Sequence, residues 1–542
     1  LAGLWVPIAG SLAVTWFTDP PPFAEPFPTQ GSPLAWAALA GLAGALLVAV
    51  YQFARGLRAV VGAAFTLAGG LAGWVLSADR APPAPSQPLP AGAPNVLVVT
   101  LDTTRADRLG AYGNDRVDTR SFDRLALEGT LFEDAVAVAP VTGPSHASMF
   151  SGRHPADHGL LLNGTPLPEE PLLAEVLRDH GYDTAAFVSA YVLDGDLGFR
   201  RGFAVYDDDF GWLKGGGRLL PARLWAMARR HADPDEVLQR RGGDTVDAAL
   251  AWLAQPRGAY FLWVHLFDAH GPYEPPPPYD TRYYSGDPHD PAHTSMTKVG
   301  EHPAYLKRSL EGVTDLAWVE AQYDGEVSYA DAQLGRLLDA IDPQNTLVVV
   351  LADHGESLGE HGTWFEHVGV EEVEARIPWV MRWPGRVPAG RRSAALVEGS
   401  DLAPTVLDLV RIPIPHTMTG HPALKDPPRT AGRSLALDRA ANRAARARGE
   451  IDEPRYRVAG LRGPGTRYVL HEAGDAARFY DLAGDPLGLV DVAGTFPPDS
   501  AGAELLRHLH GDARALFGGD TVRQDLSDEE RERLESLGYL DD

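Results

Sequence analysis

Two aspartates and a histidine able to hold a divalent cation follow apolar runs in this chain, and a threonine able to attack an ester stands between them in sequence. Asp102 follows Asn95-Val96-Leu97-Val98-Val99-Thr100-Leu101, and Asp353-His354-Gly355-Glu356 follows Thr346-Leu347-Val348-Val349-Val350-Leu351-Ala352. Thr142 opens Thr142-Gly143-Pro144-Ser145-His146, ahead of Ser151-Gly152-Arg153. A Pro two residues after a Thr sets the backbone for a helix entry, where N–H groups point outward and can hold an anion. One divalent cation on Asp102, Asp353 and His354, with Thr142 beside it as a further ligand, would neutralise an ester's charge and lower the pKa of the Thr142 hydroxyl, making it a nucleophile. Taken singly, each residue reads otherwise: Thr142 and Ser145 as helix caps, an Asp at a strand end as a turn former, a His as a satisfied structural group. Their combination, in this order, is the specific signal.

Such a site needs strands that end together. Both apolar runs are short and rich in β-branched residues, the pattern of strands buried on both faces of a parallel sheet, and in open α/β sheets sites form beyond the carboxyl ends of strands. A third run, Tyr260 to Phe267, leads into Asp268-Ala269-His270-Gly271-Pro272-Tyr273; His265, inside that run, reads as structural. Val327, Ala330, Leu334, Leu337 and Leu338 share one helical face ahead of the 346–352 strand, and Thr245 to Leu253 predicts a helix ahead of the 260 strand. Strand after helix predicts an α/β fold, a mostly parallel sheet sandwiched by helices. Tyr456–Leu470 and Ala477–Leu482 predict a small C-terminal antiparallel subdomain. Residues 411–450 show no clear period, 207–240 read as an insertion, and Leu526–Leu540 reads as a helix with Ser527 and Glu530 in a capping box.

Composition narrows the partners. The chain has 48 basic and 73 acidic residues, a formal charge of −25, which argues against a nucleic-acid backbone as partner, and it has no cysteine, which excludes disulfides, thiolate metal sites and a cysteine nucleophile. Residues 1–17, 34–53 and 59–77 are apolar stretches, the last two about the 20 residues a membrane-crossing helix needs. Arg55 and Arg58 lie between the second and third, so that connection is expected in the cytoplasm and everything after residue 77 outside. The expectation is a multi-pass membrane protein with an extracytoplasmic catalytic domain: a transmembrane region over 1–79, truncated at its N-terminus because the sequence opens on Leu1, a Pro-rich linker over 80–94, a catalytic domain over 95–450, a subdomain over 451–495 and a helical tail over 496–542.

From about Pro94 to about Ala493 the chain resembles the sulfatase family of the alkaline phosphatase superfamily. The motifs are Leu101-Asp102-Thr103-Thr104-Arg105-Ala106-Asp107-Arg108-Leu109-Gly110, Thr142-Gly143-Pro144-Ser145-His146 with Ser151-Gly152-Arg153, Asp353-His354-Gly355-Glu356 with Gly359-Glu360-His361-Gly362, Arg376-Ile377-Pro378, and Asp481-Leu482 with Asp485-Pro486. The resemblance implies a mostly parallel α/β sandwich with a smaller C-terminal sheet. It also implies substrate-contacting roles for His270 and His367, as donors to the leaving oxygen. Arg105 is implied as a substrate clamp or as the partner of Asp107 or Asp134. Glu360 and His361 would support the site, and His158 and Asn163 would be structural. Where the family has Arg after Pro-Ser this chain has His146, counted here among the catalytic candidates. Sulfatases proper carry Cys or Ser at the Thr142 position, converted to formylglycine; Thr cannot be so converted and must attack directly. In that respect the chain is similar to Thr-nucleophile phosphotransferases of the superfamily, although those use Glu where this chain has Asp102. His354, where calcium sulfatases have Asn, favours Mn or Zn over Ca or Mg. The implied activity is metal-dependent hydrolysis or transfer on anionic phosphate or sulfate esters, phosphoesters favoured, with a lipid or glycan acceptor; the alternatives are a sulfuric ester hydrolase and a non-catalytic membrane-anchored binding protein.

Overall fold

β1 (Asn95–Leu101) is apolar on both faces, with Val96, Leu97, Val98 and Val99 fully buried, so it belongs in the interior of a sheet covered on both sides. In the computed structural model, which describes residues 85–210, 239–451 and 454–518, it lies near the middle of an eight-stranded sheet. The chain divides after Pro83 into two units, and every described residue belongs to the second. The other strands of this sheet are β2 (Thr130–Val136), β3 (Asp183–Phe187), β4 (Val205–Asp207), β5 (Tyr260–Leu266), β6 (Thr346–Ala352) and, beyond a short pair β7 (Ser357–Leu358) and β8 (Trp364–Glu366), β9 (Arg376–Arg382) and β10 (Arg391–Glu398). Their order is β10-β2-β9-β6-β1-β5-β3-β4. All neighbours are parallel except β9, which runs antiparallel to both β2 and β6. β1 pairs with β5 and β6 in one register, Leu101 opposite Leu266 on one side and Ala352 on the other, so the three carboxyl ends are level.

Helices among the described residues include α1 (Arg120–Glu128), α2 (Thr142–Ser151), α3 (Gly242–Leu253), α4 (Leu316–Ala340), α5 (Leu402–Val410) and α6 (Ala501–Ala515). α4 buries Val319, Tyr323, Val327, Ala330, Leu334, Leu337 and Leu338, packs on α1 and α3, and starts at Asp315, whose side chain accepts from the Ala317 N–H. The small sheet is antiparallel throughout, β11 (Gly432–Leu437), β12 (Arg457–Gly463), β13 (Thr466–His471) and β14 (Ala477–Asp481). Its core holds Leu435, Leu461, Tyr468, Leu470 and Phe479 with Leu516. The last three strands lie where the sequence predicts an antiparallel set, and the first comes from the 411–450 stretch that shows no period.

The expected multi-pass, extracytoplasmic arrangement is corrected here: among the described residues no helix is long and apolar enough to cross a membrane. α4, at 25 residues, carries Glu320, Asp324, Glu326, Asp331, Arg336 and Asp339, and its apolar stripe is buried in the domain core. The apolar stretches at 1–17, 34–53 and 59–77, the 526–540 helix and most of the 207–240 insertion lie outside the described residues.

Glu398, at the end of β10, joins the two sheets. Its fully buried carboxylate accepts from the Arg433 N–H at 2.8 Å, Arg433 Nε at 3.0 Å and Ser400 Oγ at 3.2 Å, with Arg429 Nη1 at 3.5 Å. Burial alone would raise this carboxyl, but Arg429 and Arg433 outweigh burial and bring it down to about 2. A carboxyl lower in the folded chain than in the unfolded one, where it sits at about 4.3, adds stability above that value and loses it as pH falls toward 2. Glu398→Gln is expected to cost about 1.5–3 kcal/mol at neutral pH, because half-buried Arg433 loses its counter-charge while Arg429 keeps its pair with Asp401. Urea melts check this, and the gap to the parent protein should narrow between pH 7 and pH 3.

Candidate active site

The level ends of β5, β1 and β6 put Asp102 and Asp353 side by side. The Asp102 N–H donates to Leu266 O at 2.9 Å, and the Asp353 N–H to Leu101 O at 3.4 Å. After Asp102 the chain turns sharply through Thr103, whose φ of +46° is a left-handed conformation costing a β-branched residue about 1–3 kcal/mol. The turn directs the Thr103 N–H at Asp353 Oδ1, 3.2 Å away. Tyr323 of α4 holds it there, its hydroxyl donating to Thr103 O at 2.7 Å and accepting the Arg105 N–H at 3.1 Å.

Thr142 begins α2, and its Oγ1 lies 3.4 Å from both Asp102 Oδ2 and His354 Nε2. Ser145 Oγ, one turn on, donates to Asp353 O at 2.8 Å. The outward N–H groups expected at this helix entry are fewer than the sequence suggests. Gly143 N–H is taken by Asn163 Oδ1 at 2.7 Å, Pro144 has none, and Ser145 N–H bonds Val141 O at 2.9 Å.

The site therefore rests on side chains. His354 Nδ1–H donates to Gly355 O at 3.0 Å, which leaves Nε2 as an acceptor. That nitrogen stands 3.4 Å from Asp353 Oδ2 and 4.0 Å from Asp102 Oδ1, and neither of these buried oxygens has a hydrogen-bond partner. Burial pushes both carboxyls well above the ordinary carboxylate range, the Asp102 charge adding to the effect on Asp353, and pushes His354 down to about 3. Three ligand groups converging with no hydrogen-bond donor from the chain on Asp102 Oδ1 or Asp353 Oδ2 fit a divalent cation, and one ligand atom from each lies within 4.8 Å of the others. His146, His265 and Asp353 form a second grouping of the same kind, but His146 has no lone pair to offer it. Trp263 Nε1–H donates to Thr100 Oγ1 at 3.0 Å, and Thr100 donates onward to His146 Nε2 at 3.0 Å. His146 Nδ1–H then donates to Thr142 O at 2.8 Å. His146 thus braces the backbone of Thr142 from behind.

His270 and His367 meet at the same rim. His270 Nδ1–H donates to Gly271 O at 2.6 Å and His367 Nδ1–H to Pro140 O at 2.8 Å, so both Nε2 atoms are acceptors, yet they lie 3.1 Å apart. Burial pushes both imidazoles well below 6.5, and their two facing lone pairs form an acceptor for one shared proton. The His367 ring stacks on that of His354 with centroids 4.4 Å apart. Arg105 is not brought to this group. Its guanidinium, 1% exposed, donates to both Asp107 oxygens at 2.9 Å, to Glu360 Oε1 at 2.8 Å and to Glu356 O at 3.1 Å. Asp134 pairs with Arg462 instead, and His361 turns toward Tyr480.

The sequence profile of the Sulfatase family matches residues 94–412. The chain belongs to the sulfatase family. An arylsulfatase of Clostridium perfringens is 26% identical over 379 residues, 61% of this chain and 78% of that protein. A multifunctional alkaline phosphatase superfamily protein of Trinickia caryophylli is 26% identical over 392 residues, 61% and 76% of the two chains. The phosphonate monoester hydrolase of Agrobacterium radiobacter shares the fold, with a TM-score of 0.59 at 24% identity over 78% of this chain and 95% of that one. Sulfatase-family proteins are ester hydrolases, and this chain is an enzyme of that class.

Two buried groups of this sulfatase-family site are missing from the sequence expectation. His265, read as structural, places Nε2 3.1 Å from Asp102 Oδ2. Its signal is an ionisable residue in the otherwise apolar run Tyr260-Phe261-Leu262-Trp263-Val264-His265-Leu266, where burial needs a reason. Glu356, two residues after His354, is fully buried beside Tyr273, and no spacing rule marks it.

Proposed function

We propose that this sulfatase-family enzyme hydrolyses anionic phosphorus esters by direct attack of Thr142 Oγ1. The observation that carries this reading is the position of that oxygen at the entry of α2, 3.4 Å from Asp102 Oδ2 and from His354 Nε2. Asp102, Asp353 and His354, with Thr142 Oγ1, would hold one divalent cation, Mn or Zn for a donor set of two carboxylates and an imidazole, which supplies charge neutralisation at the ester and a lower hydroxyl pKa. Asp102 Oδ2, oriented by His265, takes the Thr142 proton. His146 keeps the Thr142 backbone fixed, so Oγ1 meets the phosphorus in line. As the P–O bond to the alcohol breaks, the proton held between His270 and His367 moves to the leaving oxygen. Water then attacks the threonyl ester and gives a proton to the histidine pair, while Asp102 returns its proton to Thr142 Oγ1 as that oxygen leaves phosphorus. Phosphorus is favoured over sulfur because Thr142 cannot become the aldehyde hydrate that serves as nucleophile where Cys or Ser stands. The similarity to an arylsulfatase supports a second reading, hydrolysis of sulfuric esters at the same atoms.

The experiment is a panel of nitrophenyl phosphodiester, phosphonate and sulfate esters, with Mn or Zn added to the purified protein. Turnover should be fastest on a phosphorus ester; sulfate alone turning over would reverse the preference. His270→Gln should slow a phenyl ester about 10²-fold or more and its nitrophenyl counterpart far less, because only the poorer leaving group needs the proton. Equal slowing of the two esters would remove His270 and His367 from the leaving-group role.

A further inference from the structure

His367 follows β8 directly, and residues 367–375, which lead from it to β9, lie against the small antiparallel sheet. Val370, 1% exposed, joins an apolar cluster with Val458 of β12, Val469 of β13 and Tyr480 of β14. Two arginines of the same sheet reach this segment. Arg462 Nε donates to both Glu372 oxygens at 3.1 Å. Arg467, fully buried, donates from Nη2 to Val370 O and, at 3.4 Å, to Ser434 Oγ. Glu372 Oε2 is 3.9 Å from Arg467 Nη1, beyond hydrogen-bond reach, so Nε and Nη1 are buried with no hydrogen-bond partner. β12 leaves room for this contact through Gly460, where a Cβ would stand 2.6 Å from Arg467 Nη2 and 3.1 Å from Val370 Cβ. A glycine inside a strand weakens it and marks a close approach of another part of the chain.

A buried guanidinium with two of its three nitrogens unbonded destabilises a fold, and an apolar side chain of similar volume would serve packing better. What the arrangement does serve lies three residues back along the chain. The His367 ring is tied at one atom, Nδ1–H on Pro140 O at 2.8 Å, and its Nε2 must stay 3.1 Å from His270 Nε2 for the two to share a proton. A ring tied at one atom keeps that distance only when its backbone is held as well. We propose that Arg467 is a positioning residue for His367: its hydrogen bond to Val370 O fixes the backbone that sets the His270–His367 pair, so the small sheet takes part in protonating the leaving oxygen. The inference rests on the hydrolase reading in which that pair serves the leaving group.

Leaving-group dependence in the full chain tests it. Arg467→Met should slow a phenyl phosphorus ester about tenfold or more and its nitrophenyl counterpart by less than about threefold, and Arg467→Lys, which keeps a donor for Val370 O, should restore most of the phenyl rate. Gly460→Ala displaces the guanidinium tip without removing it and should show the same selective loss; it decides the matter if the methionine variant does not fold. Equal slowing of the two esters, or no slowing in either folded variant, overturns the proposal. In NMR spectra of carbon-labelled histidine, the His367 ring signals, assigned by their loss in His367→Gln, should shift in Arg467→Met or Gly460→Ala with no substrate present. Unmoved signals overturn the proposal even where no ester is cleaved. His270→Gln separates this result from the reading on which it rests. Selective loss there with none in the sheet variants removes only Arg467, whereas equal slowing there removes the leaving-group role of the pair and leaves a shifted His367 signal to stand for the positioning contact alone.

Discussion

Thr142→Ala abolishes turnover, with kcat lower by at least about 10³-fold, and leaves the folded protein intact. The two halves of this expectation come from different atoms. The hydroxyl contributes little to stability, since its contacts to Asp102 Oδ2 and His354 Nε2 are both 3.4 Å long. The helix entry is held by other bonds: His146 Nδ1–H on Thr142 O, Gly143 N–H on Asn163 Oδ1 and Ser145 Oγ–H on Asp353 O all survive the substitution. Loss of rate therefore reports loss of the attacking oxygen. Thr142→Ser keeps that oxygen and should retain activity within about tenfold, the missing methyl costing only positioning. Intact mass after stalling with substrate is the direct measurement, an added phosphoryl or sulfo group in the parent protein and none in the alanine variant. Undiminished turnover by Thr142→Ala would end the direct-attack mechanism.

Asp353→Asn is expected to do two opposite things. Bound divalent metal falls below stoichiometric and kcat/KM drops by about 10²-fold or more, since even residues that merely orient metal ligands carry up to that much. The metal-free variant, however, melts at a higher temperature than the metal-free parent. Asp102 and Asp353 are fully buried carboxyls, and burial together with the Asp102 charge pushes Asp353 up. Asparagine keeps an Oδ1 for the Thr103 and His354 N–H groups and places an N–H where Asp353 Oδ2 faces His354 Nε2 at 3.4 Å, giving that acceptor a donor. Metal analysis by mass spectrometry and thermal melts in chelator read the two effects separately. Full metal content in Asp353→Asn would remove Asp353 from the ligand set; a lower melting point would mean that the carboxyl serves the fold rather than a cation.

The parts of this architecture that are legible in the sequence are those where burial acts on every residue. β1, β5 and β6 are covered on both faces and read as unbroken apolar runs, and α4 reads through the 3.6-residue spacing of Val327, Ala330, Leu334 and Leu337. The chemistry at the strand ends follows, because a polar cluster after such a run has one place to go. β11 does not read this way. Its Gly432-Arg433-Ser434-Leu435-Ala436-Leu437 has too few β-branched or alternating positions, and its place is decided by pairing with a strand more than twenty residues later. Arg105 illustrates a different limit: several acids lie within reach in principle, and only the fold decides that Asp107 and Glu360 take it while Asp134 goes to Arg462. The placing of His146 and His265 shows the same limit. Which imidazole faces the carboxylates depends on a β1–β5 register that places Thr100 opposite His265, and no local pattern encodes that register.

The Thr103–Asp353 hydrogen bond spans 250 residues of chain. At the usual pace of synthesis, 5–20 residues per second, roughly 10–50 s separate the appearance of its two ends. Throughout that interval β1 has left the ribosome with neither β5 nor β6 available at first, an apolar strand exposed on both edges and both faces. The centre built on it cannot take shape until β6 arrives, well into the second half of the chain. A nascent protein of this design is inert until late in its own production, and its period of greatest exposure to aggregation is the wait of its first strand for its last neighbour.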